Sequence, residues 1–96
     1  MSITNETDID QLAASQLNGI NQRYTKNRRQ LIEILLETSK PITINQILES
    51  DSKLAQSSVY RNLAVLEQAG LVVKLITNDG HAHYELAEHI LSLIHI

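Results

Sequence analysis

The 96-residue chain has no cysteine, tryptophan or phenylalanine, and its only aromatic residues are three tyrosines. Without cysteine there is no disulfide scaffold, no thiol nucleophile and no Cys-ligated zinc or iron–sulfur centre. With so few aromatic rings the core must be aliphatic, built from Leu, Ile, Val and Ala. No run approaches the ~20 apolar residues of a membrane helix, and Ser2–Asp10 is acidic and polar, unlike a secretory leader. Gly-rich phosphate loops, G-x-S-x-G elbows and H-E-x-x-H helices are also missing, so the sequence carries no catalytic signature.

The chain has one domain's worth of residues, 43% of them hydrophobic, and a net charge of −3. That charge is unevenly spread. Residues 1–22 hold Glu6, Asp8 and Asp10 and no base, residues 75–96 hold Asp79, Glu85 and Glu88, and all eight lysines and arginines lie between. A basic middle between acidic ends points to a polyanion partner, because the local field steers association more than the total charge does.

Periodicity predicts a helix over Asp8–Gly19, with Ile9, Leu12, Ala13 and Leu17 on one stripe. Thr25 is placed to cap a second helix from Lys26 to about Ser39, lined inside by Leu31, Ile34, Leu35 and Thr38. Pro41 breaks the chain. Thr43 with Gln46 reads as a capping box for a short third helix, Ile44 to about Ser50. Ser57 is the expected cap of a fourth helix, whose buried face is Val59, Leu63 and Leu66 and whose stop is Gly70. Leu71–Ile76 and His81–Leu86, joined through Asn78-Asp79-Gly80, predict a β-hairpin. Two helices joined by a polar connection and followed by a hairpin make a winged helix-turn-helix: mainly α, with three to four helices plus a wing.

On the fourth helix, Ser57, Tyr60, Arg61, Ala64 and Gln68 fall opposite the buried face. A stripe of small and polar residues with one Arg can enter a major groove, where Arg donates to guanine and Tyr, Gln and Ser reach bases or phosphates; the same stripe also suits an ordinary solvated face. Tyr24–Arg29, preceded by Arg23, could clamp phosphates at a helix N-terminus, or spend Arg28 and Arg29 on Glu33 and Glu37. His81, His83 and Glu85 share one side of the second strand, with His89 four residues on. These are apt ligands for zinc or iron, but two His on one strand do not close a tetrahedral site by themselves.

Taken together, R-Y-T-K-N-R-R-Q-L-I-E-I-L (23–35), P-I-T-I-N-Q-I (41–47), S-S-V-Y-R-N-L-A-V-L-E-Q-A-G-L-V (57–72) and Y-E-L-A (84–87) resemble the ferric uptake regulator family of bacterial metal-responsive repressors. The resemblance covers about residues 8–89. It implies a cytoplasmic, non-enzymatic transcriptional repressor that binds double-stranded DNA, touches no membrane and forms a homodimer through a C-terminal domain that lies beyond this sequence. On this reading the DNA-contacting residues are Arg23, Tyr24, Thr25, Arg28, Arg29, Ser57, Ser58, Tyr60, Arg61, Gln68 and Lys74. Tyr60 and Arg61 match base-contacting positions, and Arg23 matches a basic residue that reaches the minor groove. Glu85 matches a sensory metal ligand, with His83 and His89 as further candidates.

The intact protein is thus expected to use zinc or iron, with no metal held tightly by these residues alone. Lys40 stands where many members place a His, and a protonated lysine is a poor ligand. Where the family continues into a His-rich hinge, this chain reads I-L-S-L-I-H-I (90–96). The winged helix is accordingly assigned to 1–89, and 90–96 is read as the tail of a truncated chain, its native status open. Two alternatives stand beside the repressor: a winged helix that docks on protein, and a repressor that senses no metal.

Overall fold

The computed structural model describes residues 6–38 and 40–94, in the order α1 (Glu6–Asn18), α2 (Lys26–Thr38), α3 (Ile44–Ser50), α4 (Gln56–Gln68), β1 (Val72–Ile76), β2 (Ala82–Leu86) and α5 (Glu88–Ile94). It is mainly helical with an antiparallel hairpin, the winged-helix arrangement.

Helix α1 buries Ile9, Ala13 and Leu17 of its predicted stripe, with Leu12 half-buried against the core. It ends as predicted before Gly19, yet the left-handed residue of the exit is Asn21, at φ 61°. Asparagine tolerates that region better than most side chains. The Thr25 hydroxyl accepts from the Arg28 amide at 3.2 Å and so caps α2. Leu31, Ile32, Ile34 and Leu35 face the core, Thr38 is half-buried, and position 39 lies outside the described residues. The capping box opens α3: the Gln46 amide donates to Thr43 Oγ1 at 3.2 Å, and the Thr43 amide donates to Gln46 Oε1 at 2.9 Å. Such a cap contributes about 1 kcal/mol.

The start of α4 departs from expectation. Its N-cap is Ala55, which makes no side-chain cap bond, and Ser57 sits exposed inside the first turn. Asp51 sets that start. Its Oδ1 accepts from the Lys53 amide at 2.9 Å, its backbone carbonyl accepts from Leu54, and Oδ2 accepts from Gln30 Nε2 of α2. The connection is therefore folded before Ser57 is reached, and the helix ladder begins with Val59 N–H to Ala55 C=O at 3.0 Å. At the other end Gly70 adopts φ 82°, its amide bonded to Glu67 O at 3.0 Å and that of Leu71 to Leu66 O at 2.9 Å. This paired pattern closes the helix, and only glycine takes the left-handed position without strain.

The hairpin pairs Val72 with Leu86, Lys74 with Tyr84 and Ile76 with Ala82. Its turn is tight: Gly80, at φ 85°, donates to Thr77 O at 2.9 Å, and Thr77 N–H returns to His81 O at 3.0 Å. Asp79 accepts from the Thr77 hydroxyl and the His81 amide, which holds its carboxyl below the usual carboxylate range. One pairing has no periodic signal in the sequence. Ile42, between Pro41 and the α3 cap, bridges Tyr84 on the far edge of β2 through bonds of 3.0 and 2.7 Å. A single paired residue cannot generate a period-two pattern.

The segment read in the sequence as a tail is helical as far as residue 94. Residues 88–94 form α5, with Ile90 only 1% exposed and Leu91 packed against the core. Ala87 and Ile90 recur at helical spacing directly after the wing, so the last turns fold back onto the domain. The hydrophobic core therefore continues past residue 89.

Candidate nucleic-acid interface

Two surfaces flank α2 and α4. The first is the outer face of α4. With Val59, Leu63 and Leu66 at 0–1% exposure in the core, Ser57, Tyr60, Arg61, Ala64 and Gln68 all stand in solvent, Tyr60 at 53%. The exposed acid on this helix is Glu67, near its carboxyl end. Ser58 is half-buried, its Oγ accepting from Asn62 Nδ2 at 3.1 Å. The stripe is narrow, basic at Arg61 and small at Ser57 and Ala64, which allows close approach to a groove.

The second surface is the arm before α2 and that helix's first turn. Arg23, Thr25 and Lys26 are exposed, as is Lys74 on β1. The two arginines of the first turn are engaged by neighbouring groups, Arg28 half-buried and Arg29 at the surface. Arg28 donates from Nε to Asn62 Oδ1 at 2.9 Å, and from Nη1 to Gln22 Oε1 at 3.1 Å and to Arg23 O at 2.8 Å. Arg29 pairs at 3.4 Å with both Asp10 and Glu33, its side chain still 47% exposed; at that exposure each pair contributes at most a few tenths of a kcal/mol. The Tyr24 hydroxyl donates to Asp10 Oδ1 at 2.5 Å. Burial, reinforced by that carboxylate, holds its pKa far above the ordinary tyrosine value.

Asn62 and Asp10 are absent from the site read in the sequence. Asn62 had a legible signal: it lies on the inward arc between Val59 and Leu66, where a polar side chain needs a partner. Asp10 had none, because its partners lie in other elements.

The candidate metal ligands do not converge. His83 and Glu85 are half-buried on the hairpin face away from the core, opposite Leu75 and Val73. His89 Nε2 is hydrogen-bonded to Gln16 Oε1 at 2.8 Å, while Gln16 Nε2 donates to Ala69 O at 2.7 Å. Among the described residues no three His, Asp or Glu side chains form a group that could hold a metal ion. These residues alone do not fit a closed metal site.

An exposed stripe on the second helix of a helix-turn-helix, followed in the chain by a two-stranded wing, defines a winged-helix domain. Residues 19–95 match the ferric uptake regulator family, and the chain belongs to that family. It is 25% identical over 83 residues to the ferric uptake regulation protein of Rhizobium leguminosarum bv. viciae, a match covering 82% of this chain and 58% of that protein. The fold is similar to that of the Helicobacter pylori ferric uptake regulator Fur, a protein with three functional metal-binding sites: TM-score 0.71, 22% identity, 91% of this chain and 61% of that one. It is also similar to the Streptococcus pyogenes peroxide-sensing regulator PerR, with TM-score 0.66, 21% identity, and coverage of 90% and 59%. The chain thus spans about three-fifths of the length of these relatives.

Proposed function

We propose that this chain is the DNA-binding domain of a metal-responsive transcriptional repressor, with α4 as its recognition helix. The exposed stripe of α4 carries this reading. Arg61 and Tyr60 project from a helix whose other side is locked into the core, so they meet a duplex without disturbing the fold. Ser57, Ser58 and Gln68 flank them; Arg23, Thr25, Lys26 and Lys74 supply phosphate contacts, with Tyr24 in the arm and Arg29 in the first turn of α2 beside them. The role is binding, not catalysis. The partners are double-stranded DNA and, through the part of its relatives' length that this chain does not span, a second subunit. A cytoplasmic location follows from that role, and no described helix is long and apolar enough to cross a membrane.

The metal response comes from family membership. Glu85 and His83 are candidate donors to a zinc or iron site completed elsewhere, and no mechanistic step is derived from them. The test is selection of a preferred duplex from a randomised library, followed by salt titration on that duplex and on random DNA. A single module should bind at about micromolar or weaker at physiological salt, and more weakly still as salt rises. Failure to bind any duplex at low salt would overturn the DNA reading in favour of a protein-docking winged helix.

A further inference from the structure

Asn62 is the one buried polar side chain among the described residues, 8% exposed, and it lies on the inner side of the proposed recognition helix. It is bonded on both sides. Its Nδ2 donates to Ser58 Oγ in the first turn of α4, and its Oδ1 accepts from Arg28 Nε, 34 positions earlier in the chain. The Arg28 guanidinium then reaches the opposite way, with Nη1 donating to Gln22 Oε1 and to the backbone carbonyl of Arg23. One continuous set of bonds thus joins α4 to the arm that carries Arg23. Two of the three guanidinium nitrogens are committed inside the protein. No buried side-chain nitrogen or oxygen among the described residues lacks a partner. A continuous network anchored on a buried side chain and part-buried along its length restrains the elements it joins.

From this network we infer that Arg28 and Asn62 are positioning residues, which fix the arm relative to the recognition helix so that Arg23 and Arg61 meet one duplex in register. The inference rests on the DNA-binding reading above. Bidentate recognition of a base tolerates little angular error, and a helix free to rock by a fraction of its diameter loses it. The guanidinium fork suits this role because its planar donors point in fixed directions, one towards each element. A lysine keeps the charge and loses the fork.

Position 62 faces the core, so any effect of replacing it on DNA reading passes through the protein. In Asn62→Leu the apolar side chain fills the space but accepts nothing from Arg28. In Asn62→Asp one carboxylate oxygen still accepts from Arg28 and the other accepts from the Ser58 hydroxyl. The probes are the duplex this chain selects from a randomised library and a random duplex, each titrated with salt. Asn62→Leu and Arg28→Lys should each reduce the selected-to-random affinity ratio by about tenfold with the salt slope unchanged, whereas Asn62→Asp stays within about threefold of wild type. A ratio unchanged in both Asn62→Leu and Arg28→Lys overturns the inference. So does Arg28→Ala lowering the salt slope by about one unit with equal loss on both duplexes, the signature of a phosphate anchor.

Circular dichroism checks folding. Should Asn62→Leu not fold, Arg28→Lys decides by the same criterion. Amide exchange separates this inference from the DNA reading. The Gln22 amide, bonded to Leu17 O at 2.9 Å, should exchange about tenfold faster in Arg28→Lys and Asn62→Leu but not in Asn62→Asp. If wild type prefers no duplex, the repressor reading falls while faster exchange still supports the strut; unchanged exchange overturns the strut whatever the DNA result.

Discussion

Replacing Ile90 with alanine tests whether the last helix belongs to the domain. Ile90 is 1% exposed and packs with Ala87 and Leu91 against the core. Buried Ile→Ala changes cost about 2–5 kcal/mol, the sum of lost transfer free energy and an incompletely closed cavity. Helix α5 spans only Glu88–Ile94, and a short peripheral helix can shift to close part of the space. The expected loss is therefore at the lower end, ~2–3 kcal/mol. A domain of this size has a total stability of roughly 5–15 kcal/mol, so the loss is a large fraction of it. Each kcal/mol lowers the Tm of such a domain by about 4–8 °C, giving a fall of roughly 10–20 °C. The assay is urea and thermal unfolding followed by far-ultraviolet circular dichroism. Ser92→Ala on the exposed side of α5 serves as the control, expected within about 0.5 kcal/mol of wild type. An Ile90→Ala loss below about 0.5 kcal/mol would refute the reasoning, making residues beyond Ala87 an appendage and not core.

On the selected duplex, Arg61→Ala should cost about 1–3 kcal/mol and less on random DNA, while Lys74→Ala weakens both about equally and lowers the salt slope by roughly one unit; equal losses for both variants on both duplexes would remove Arg61 from base readout. Burial and the Asp10 hydrogen bond keep the Tyr24 hydroxyl protonated above its ordinary pKa of 10.0, and burial does the same for Tyr84. The unfolded chain releases these protons near pH 10 and the folded one holds them, so this stabilisation is complete below pH 10 and lost as pH rises beyond it. Thermal scans of Tyr24→Phe should accordingly fall less steeply above pH 10 than wild type, with Tyr84 supplying the remainder, and parallel curves would refute the assignment. Gly70→Ala should destabilise by ~1–2 kcal/mol, since an alanine at φ 82° is strained and its Cβ would lie 3.3 Å from Gln16 Nε2; an unchanged urea midpoint would count against the cap. Calorimetry with zinc at neutral pH should show weak binding that largely disappears when His81 and His83 are replaced, and a tight stoichiometric site surviving that replacement would show ligands lying elsewhere.

Local chemistry made much of the fold legible in the sequence. The capping box of Thr43 and Gln46, the Thr25 cap, the stop at Gly70 and the turn at Asn78-Asp79-Gly80 are closed by bonds spanning a few residues, so their signals lie within a few positions of each other. The buried stripe Val59, Leu63 and Leu66 follows from helical periodicity, and with it the exposed face that holds Tyr60 and Arg61. Tertiary structure decided which cations face outward. Arg28 and Arg29 are adjacent and chemically identical, yet Arg28 is turned inward by Asn62 while Arg29 is drawn to Asp10 and Glu33. It also decided that Ile42 pairs with Tyr84, that Asp51 starts α4 ahead of Ser57, and that Ile90 completes the core. Local bonds such as Arg29–Glu33 and Asp51–Lys53 contribute, but each outcome also draws on a group from another element: Asn62 for Arg28, Asp10 for Arg29, Gln30 for Asp51, Tyr84 for Ile42 and the packed core for Ile90. A helical period says which way a side chain points; its partner is set by which distant group the packed core brings within about 3 Å, where a hydrogen bond forms.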